Sequence, residues 1–293
     1  AMVASVGFMV AQSFAPGIAD SDVQAQTVDK PNMILVMADD LGYETIGHKG
    51  HSEYDTPVLD DLAARGVRFT NCHSCPVCTP SRVEIMTGKY NNRNYRGFAK
   101  YADPEQNPSF ANILQNEGYA TCVAGKWQLG GLSSSTGPNA LGFDEYRIWD
   151  QTGDYSNRYI DPILTTNDEK HVIHEGEYGP EMFTDFILDF MEQKQDEPFF
   201  VYFPMCLTHA PFRPTPDSDP DVSGRENVFA DNVAYMDKCI GRINDKLEEL
   251  GLAEKTLLLF TGDNGTSPAI RSQMGDVEVR GGKQSTTDAG TRV

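Results

Sequence analysis

The chain has 293 residues, 39% of them hydrophobic, and carries 43 acidic against 24 basic side chains, a formal net charge of −19 at pH 7. That length supports a sizeable core in one large domain or two small ones. The acidic balance, with no basic stripe to neutralise phosphates, argues against nucleic acid as a partner and confines any anion site to a local basic pocket.

The first stretch, residues 1–19, runs Ala-Met-Val-Ala-Ser-Val-Gly-Phe-Met-Val-Ala and then turns small and polar. It has the apolar core of a secretory signal, with small-residue cleavage options near Ala15 or Ala19, and it is too short to span a bilayer. With a polar linker up to Lys30, residues 1–30 read as a partial export signal. A secreted or periplasmic protein without stable membrane insertion is the expectation, and a disordered tail is the plainer alternative.

Residues 31–293 read as one catalytic-sized domain. Met33 to Ala38 is a continuous apolar run, the mark of a parallel strand buried on both faces, and it ends in Asp39-Asp40-Leu41-Gly42. Two carboxylates directly after such a strand point to a ligand, because α/β sheets bind at the carboxyl ends of their strands; a capped turn is the alternative. Thr56-Pro57 opens a helix with Val58, Leu59, Leu62 and Ala63 on one face, closed by Gly66. Val67 to Thr70 is expected as a short strand. Phe110 to Glu117 is a helix ended by Gly118, and Tyr119 to Ala124 a strand that delivers Gly125-Lys126-Trp127-Gln128-Leu129-Gly130.

Leu132 to His174 is rich in Gly, Ser, Asn and Asp and is expected to be irregular. Trp149, Asp150, Tyr155 and Arg158 lie in it; each could touch a substrate, and packing is the expected role. Pro180 to Gln195 is a helix with Met182, Phe183, Phe186, Ile187 and Phe190 on one face, and Pro198 to Phe203 a buried strand leading into Cys206-Leu-Thr-His209-Ala-Pro211. Phe229, Val233, Met236, Ile240, Ile243, Leu247 and Leu250 follow helical spacing up to Gly251. Thr256 to Gly262 is another buried strand, ending in Asp263-Asn264-Gly265. Buried strands alternating with amphipathic helices predict an α/β fold in three layers, with helices on both sides of a mostly parallel sheet.

If the strands ending at Ala38 and Gly262 are parallel neighbours, Asp39, Asp40, Asp263 and Asn264 meet at one sheet edge. Three carboxylates and an amide oxygen are hard ligands, suited to Ca²⁺ or Mg²⁺. No His/Cys set has convincing zinc spacing.

Cys72-His-Ser-Cys75-Pro-Val-Cys78-Thr-Pro80-Ser81-Arg82, followed by Thr87-Gly88, admits three readings. An iron–sulfur run needs a fourth cysteine where Arg82 stands. Three small buried residues are the bland reading. Thirdly, Cys78-x-Pro80-Ser81-Arg82 with Thr87-Gly88 resembles the signature of the type I, formylglycine-dependent sulfatases, arylsulfatase-like members of the alkaline phosphatase superfamily. Pro80 and Ser81 are helix-opening residues, which would put Cys78 just before a helix N-terminus where amide donors favour an anion.

The resemblance extends along the chain. Gly-Lys126-Trp-x-Leu-Gly resembles the stretch whose lysine touches the sulfate, with Gln128 where sulfatases commonly carry histidine. Gln128 keeps a contact role but cannot carry a proton on and off. Thr-His209-x-Pro resembles the stretch whose histidine reaches the leaving-group oxygen; with an unperturbed pKa near 6.5, that side chain can donate a proton around neutral pH. Gly-Gly-Lys283 and the closing Gly-x-Arg-Val resemble the run that brings a second lysine to the sulfate. The resemblance implies calcium on Asp39, Asp40, Asp263, Asn264 and an oxygen at Cys78. It also implies that a maturation enzyme converts Cys78 to formylglycine. Cys78, Arg82, Lys126, His209 and Lys283 would be catalytic, and Lys126, Gln128, His209 and Lys283 would bind substrate. The substrate would be a small-molecule or carbohydrate sulfate ester. Family members continue past this point with a smaller antiparallel subdomain, so the domain is expected to lack its C-terminal part. A phosphomonoester or phosphonate ester hydrolase, or a non-catalytic anion-binding relative, are the alternatives.

Overall fold

The computed structural model describes residues 30–47, 54–94, 97–101, 103–132, 136–150, 157–167 and 169–293. The expected export signal, like Tyr155 and the side chain of Asp150, lies outside the described residues.

A seven-stranded sheet organises the chain. Its strands are β1 (Asn32–Ala38), β2 (Ala120–Trp127), β3 (Glu145–Asp150), β4 (Ile163–Thr166), β5 (Glu169–Ile173), β6 (Phe199–Pro204) and β7 (Thr256–Gly262). They lie in the order β5-β4-β3-β2-β6-β1-β7. β1, β2, β3, β6 and β7 are mutually parallel, and β4 and β5 add antiparallel at one side. The helices are α1 (Pro57–Arg65), α2 (Cys78–Thr87), α3 (Asn91–Asn94), α4 (Phe110–Asn116), α5 (Gly179–Gln193), α6 (Arg225–Glu249) and α7 (Asp288–Thr291). A hairpin of β8 (Arg271–Met274) and β9 (Val277–Arg280) stands apart from the sheet.

Strand side chains alternate between faces, and β1 shows why an unbroken apolar run was needed. Ile34 and Val36 enter one core with Phe183 and Ile187 of α5 and Phe229, Met236 and Ile240 of α6. Leu35 and Met37 enter a second core with Val83 and Met86 of α2 and Ala111 of α4. Helices therefore cover both faces, and the three-layer, mostly parallel α/β arrangement is as the sequence predicts. The α1, α4, α5 and α6 helices, with β1 and β6, also fall where expected. Ser109 caps α4, accepting from the Asn112 amide at 3.0 Å while the Asn112 side chain accepts from the Ser109 amide at 3.0 Å.

Phe143 is the hub of the second core. It meets Trp127 edge-on with ring centroids 6.2 Å apart and lies nearly parallel to Phe200 and Tyr202, each at 6.3 Å. Phe143→Ala is expected to cost about 3–5 kcal/mol, the scale of a buried aromatic truncation. Urea unfolding would read this as a lower midpoint at unchanged slope; a loss below about 1 kcal/mol would contradict the packing described.

The structure departs from the sequence reading in five places. Val67 to Thr70 forms no strand; Val67 and Phe69 are 84% and 69% exposed, with no sheet edge beside them among the described residues. Residues 132–174 are not irregular throughout but supply β3, β4 and β5. Glu145-Tyr-Arg-Ile148 alternates polar and apolar, with the buried Tyr146 and Ile148 lining the second core, and Trp149 enters the first core on the other face. β2 runs on to Trp127, so Lys126 is a strand residue. β7 is not buried on both faces: it is the last strand in the sheet order, and Leu257 and Leu259 are exposed. Finally, α2 begins at Cys78 itself, with Val77 as its N-cap. Ser81 sits inside the helix, and its hydroxyl donates to the Cys75 and Val77 carbonyls at 3.1 and 3.2 Å, where a cap would accept from amides.

Candidate active site

The strand register brings the acids together. Ala38 of β1 pairs with Gly262 of β7, so Asp39 and Asp263 leave neighbouring strands at the same level. The Asp40 amide donates to Asp263 Oδ1 at 3.1 Å, and Asn264 Nδ2 donates to Asp40 Oδ1 at 2.8 Å. All four side chains are almost fully buried.

Three cations and a histidine converge on this edge from four other segments. Lys126, near the end of β2, donates to both Asp39 oxygens at 2.8 Å. Gly125 before it has φ +127°, and a Cβ there would stand 2.1 Å from the Pro204 carbonyl, so only glycine lets β2 and β6 approach this closely. Arg82 of α2 donates to Asp263 Oδ2 through Nε at 3.0 Å and through NH2 at 2.7 Å, with Asp39 Oδ1 at 3.4 Å. Lys283 reaches Asp40 at 2.6 and 2.8 Å. His209, beyond β6, sets Nε2 3.6 Å from Asp40 Oδ2. Its loop is tied to β1, because the Thr208 amide donates to the Asp39 carbonyl at 2.8 Å.

Cys78 opens α2, buried, and its Sγ groups with carboxylate oxygens of Asp39 and Asp263, all within 4.8 Å of one another. The preceding loop is laced to the last residues of the chain. The Ser74 amide donates to Thr291, the Gln284 amide to Pro76 and the Val293 amide to Cys72. Cys75 turns elsewhere, 3.5 Å from Glu84 and 3.2 Å from Asn91. Burial, with Glu84 adding, pushes the Cys75 thiol up to about 11, so it is the inert partner. Cys78 thus groups with acids rather than with its neighbouring cysteines, against the arrangement an iron–sulfur cluster needs.

Burial and charge pull these groups in opposite directions. Burial alone would raise Asp39, but Lys126, His209, Arg82 and Lys283 hold it well below the usual carboxylate range. Asp263 goes the other way: burial, with the Asp39 and Asp40 charges, outweighs Arg82 and Lys126 and raises its proton affinity. The difference follows from contacts, since Lys126 sits on both Asp39 oxygens, while among the described residues the only side-chain cation bonded to Asp263 is Arg82 and two further carboxylates stand beside it. Burial works against charge on Lys283 and Arg82, and the neighbouring acids more than restore it, so both stay protonated. Burial lowers His209, opposed by Asp39 and Asp40, so its ring stays neutral further down in pH than an exposed histidine.

The residues fit a hard divalent cation. The donor set at the strand ends is oxygen only, and Asn264 Oδ1 is buried without a hydrogen-bond partner while its Nδ2 is engaged. The elevated proton affinity of Asp263 marks the same shortage of positive charge. Arg82 NH1 and Gln128 Oε1 are also buried without partners. An anion could accept from the first; the second is an acceptor awaiting a donor.

The structure brings every sequence-predicted catalytic and metal residue into this cluster, and Gln128 stands apart from these contacts. Gln128, directly after β2, is buried, and its carbonyl oxygen is open. Sequence reasoning named Arg158 only as a possible substrate contact, with packing as its expected role, and missed Tyr159; both stand behind His209. Arg158 NH2 lies 3.0 Å from His209 Nδ1, and the Tyr159 hydroxyl donates to the His209 carbonyl at 2.6 Å. They sit in a polar stretch where no spacing singles them out.

The comparisons agree with this geometry. A family model described as sulfatase matches residues 31–293. The arylsulfatase of Hemicentrotus pulcherrimus is 30% identical over 296 residues, covering 90% of this chain and 52% of the relative. Human arylsulfatase A is 33% identical over 294 residues, 89% of this chain and 57% of the relative. The solved structure of Ps i-CgsB in complex with k-i-k-neocarrahexaose superimposes with TM-score 0.79 at 26% identity, covering 90% of this chain and 64% of that one. The chain thus spans about half the length of the curated relatives it matches. With its strand-end acids, its buried cations and a family match reaching from the start of β1 to the last residue, the chain belongs to the sulfatase family.

Proposed function

We propose that this chain carries the catalytic apparatus for hydrolysing sulfate monoesters, with Cys78 as the site of the nucleophile. The convergence of Arg82, Lys126, Lys283 and His209 on strand-end acids around Cys78 is the observation that supports this reading most. A sulfate monoester is an anion that needs preorganised positive charge in a water-poor site, and these side chains are held in place before substrate arrives.

Asp39, Asp40, Asp263 and Asn264 would hold calcium, or magnesium, together with an oxygen at Cys78. The ion would supply positive charge beside the sulfate oxygens. Oxidation of Cys78 to formylglycine by a maturation enzyme would supply a hydrated aldehyde: one hydroxyl would bond sulfur as the ester S–O bond breaks, and loss of the proton from the second would reform C=O as the bond to sulfate breaks. Lys126 and Lys283 would neutralise sulfate charge, and Arg82 would hold Asp263 and offer NH1 to an anion. Gln128 would contact the sulfate through its amide nitrogen, the donor end of the side chain. His209 would donate a hydrogen bond through Nε2 to the departing oxygen, since burial favours its neutral ring over the proton donor that an ordinary pKa implies.

Arylsulfatases among the relatives and a carbohydrate-bound structural neighbour support small aryl or carbohydrate sulfates as substrates. Export follows from the apolar leader-like stretch of residues 1–19. No helix among the described residues is long and apolar enough to cross a membrane.

The test compares matched aryl sulfate and aryl phosphate turnover on matured protein, with Lys126→Ala and Lys283→Ala alongside. Sulfate turnover should exceed phosphate turnover, and each variant should lose about 10²–10³-fold, the scale of removing one transition-state donor. Preference for phosphate would assign the site to phosphate or phosphonate esters. Undiminished turnover in either variant would contradict the assigned roles.

A further inference from the structure

The buried residue Arg158 is unlike a packing arginine, which keeps its charged head in water. Its guanidinium carbon lies 4.6 Å from the Trp149 ring centre and 4.8 Å from that of Tyr159, so two aromatic rings hold it. One nitrogen, NH2, approaches three atoms of the histidine loop. It lies 3.0 Å from His209 Nδ1 and 3.3 Å from the His209 carbonyl, and it donates to the Ala210 carbonyl. The Tyr159 hydroxyl lies 2.7 Å from the Cys206 carbonyl and 2.6 Å from that of His209. The loop is thus clasped from behind, while Nε2 on the far side of the ring faces Asp40 at 3.6 Å.

The contact also bears on which ring nitrogen carries the hydrogen. A guanidinium has only donors, so a nitrogen facing it presents a lone pair. Nδ1 is also 2.6 Å from the Ala210 carbonyl, a contact that alone would favour hydrogen on Nδ1. Hydrogen on Nδ1 would, however, set two N–H groups against each other across 3.0 Å, whereas hydrogen on Nε2 leaves Nδ1 as the acceptor for Arg158 and points the N–H at the Asp40 carboxylate 3.6 Å away. The hydrogen therefore belongs on Nε2.

We propose that Arg158 is a positioning residue for His209: seated on Nδ1 and on the neighbouring carbonyls, it fixes the ring so that Nε2–H faces the departing oxygen of the ester. Arg158 itself touches no reacting atom. The inference rests on the sulfate-ester reading for its consequence, though not for the Arg158–His209 geometry. A hydrogen bond to a departing oxygen matters most where that oxygen bears charge poorly. Removing Arg158 should therefore harm poor leaving groups more than good ones, which a general loss of structure would not do.

Two measurements decide it. Long-range proton–nitrogen spectra of ¹⁵N-labelled wild-type protein at alkaline pH, with His209→Gln to assign the ring, report which nitrogen bears hydrogen. Expected is a pyridine-like Nδ1 and a pyrrole-like Nε2; hydrogen on Nδ1 would overturn the proposal whatever the enzyme hydrolyses. For matured protein, turnover of nitrophenyl, phenyl and alkyl sulfates is compared between wild type, Arg158→Met and Arg158→Lys. Expected for Arg158→Met is a loss growing from a few-fold on the nitrophenyl ester to about 10²–10³-fold on the alkyl ester, the range for one misplaced donor. Arg158→Lys, which can still donate to Nδ1, should recover part of that dependence. An equal loss on all esters would overturn the positioning role. A wild type that hydrolyses no sulfate ester would sink the sulfatase reading instead, and the ring spectrum would still judge Arg158.

Discussion

Cys78→Ala is expected to abolish turnover in protein matured with a formylglycine-generating system, and Cys78→Ser is expected to fail with it. The scale for losing a nucleophile is about 10⁶-fold in kcat. Alanine removes the reacting atom. A serine that stays unmodified provides one hydroxyl where the proposed chemistry needs two on the same carbon, one to attack and one to expel sulfate. Neither change should unfold the domain, because Cys78 is a small side chain at a helix start and makes no hydrogen bond on which the cores depend. The mass of the peptide Phe69 to Arg82 belongs beside the rate. Turnover in protein whose peptide mass shows the thiol intact would refute the assignment of Cys78. Conversion to the aldehyde in active protein, and its absence in both variants, would support it.

A second large effect concerns the strand-end acids. Addition of calcium at a hundred times its dissociation constant should stabilise the protein by about 2.7 kcal/mol, and a chelator should reverse it. The pH dependence gives the cation a further signature. Burial and its acidic neighbours raise the pKa of Asp263 above that of an unfolded aspartate. Between those two values the folded chain holds a proton that the unfolded chain has released. The group's unfavourable contribution is therefore absent below the unfolded pKa, and stability falls as pH climbs from the ordinary carboxylate range towards neutrality. A cation beside Asp263 should abolish that slope. Asn264→Ala, which removes the unpartnered Oδ1 without stranding a charge, should weaken both the calcium response and the flattening. Equal thermal unfolding with calcium and with chelator, across that pH range, would count against a metal at this edge.

Much of the molecule was legible in its residues. The apolar run from Met33 to Ala38 can only be a strand covered on both sides, and β1 indeed divides its side chains between two cores. Amphipathic spacing placed α1, α5 and α6, because a helix must bury its apolar stripe, and Gly118 marked the end of α4. Where patterns are local and weak the reading failed. Val67 to Thr70 has strand-forming residues but no ladder to join, and β3 hid in a polar stretch because charged residues interrupt its apolar ones, Tyr146, Ile148 and Trp149. Ser81 looked like a cap, yet a cap needs its hydroxyl before the first turn, and α2 starts three residues earlier.

The sequence by itself determined the identities at the site: acids after two apolar strands, Cys78 before Pro80 and Arg82, Lys126, His209 and Lys283. These are short-range facts, since each residue's chemistry and the motif it stands in are written in its neighbours. Only the tertiary structure decided how they meet. The pairing of Ala38 with Gly262 sets Asp39 beside Asp263, although 223 residues separate Asp40 from the Asp263 oxygen its amide binds. Lys126 came to rest on Asp39 and Arg82 on Asp263, leaving one carboxylate held ionised and the other raised. Arg158 came to lie behind His209 across 51 residues. No local pattern encodes such pairings, because they depend on strand register and on which charges share a dry interior, where burial strengthens both attraction and repulsion.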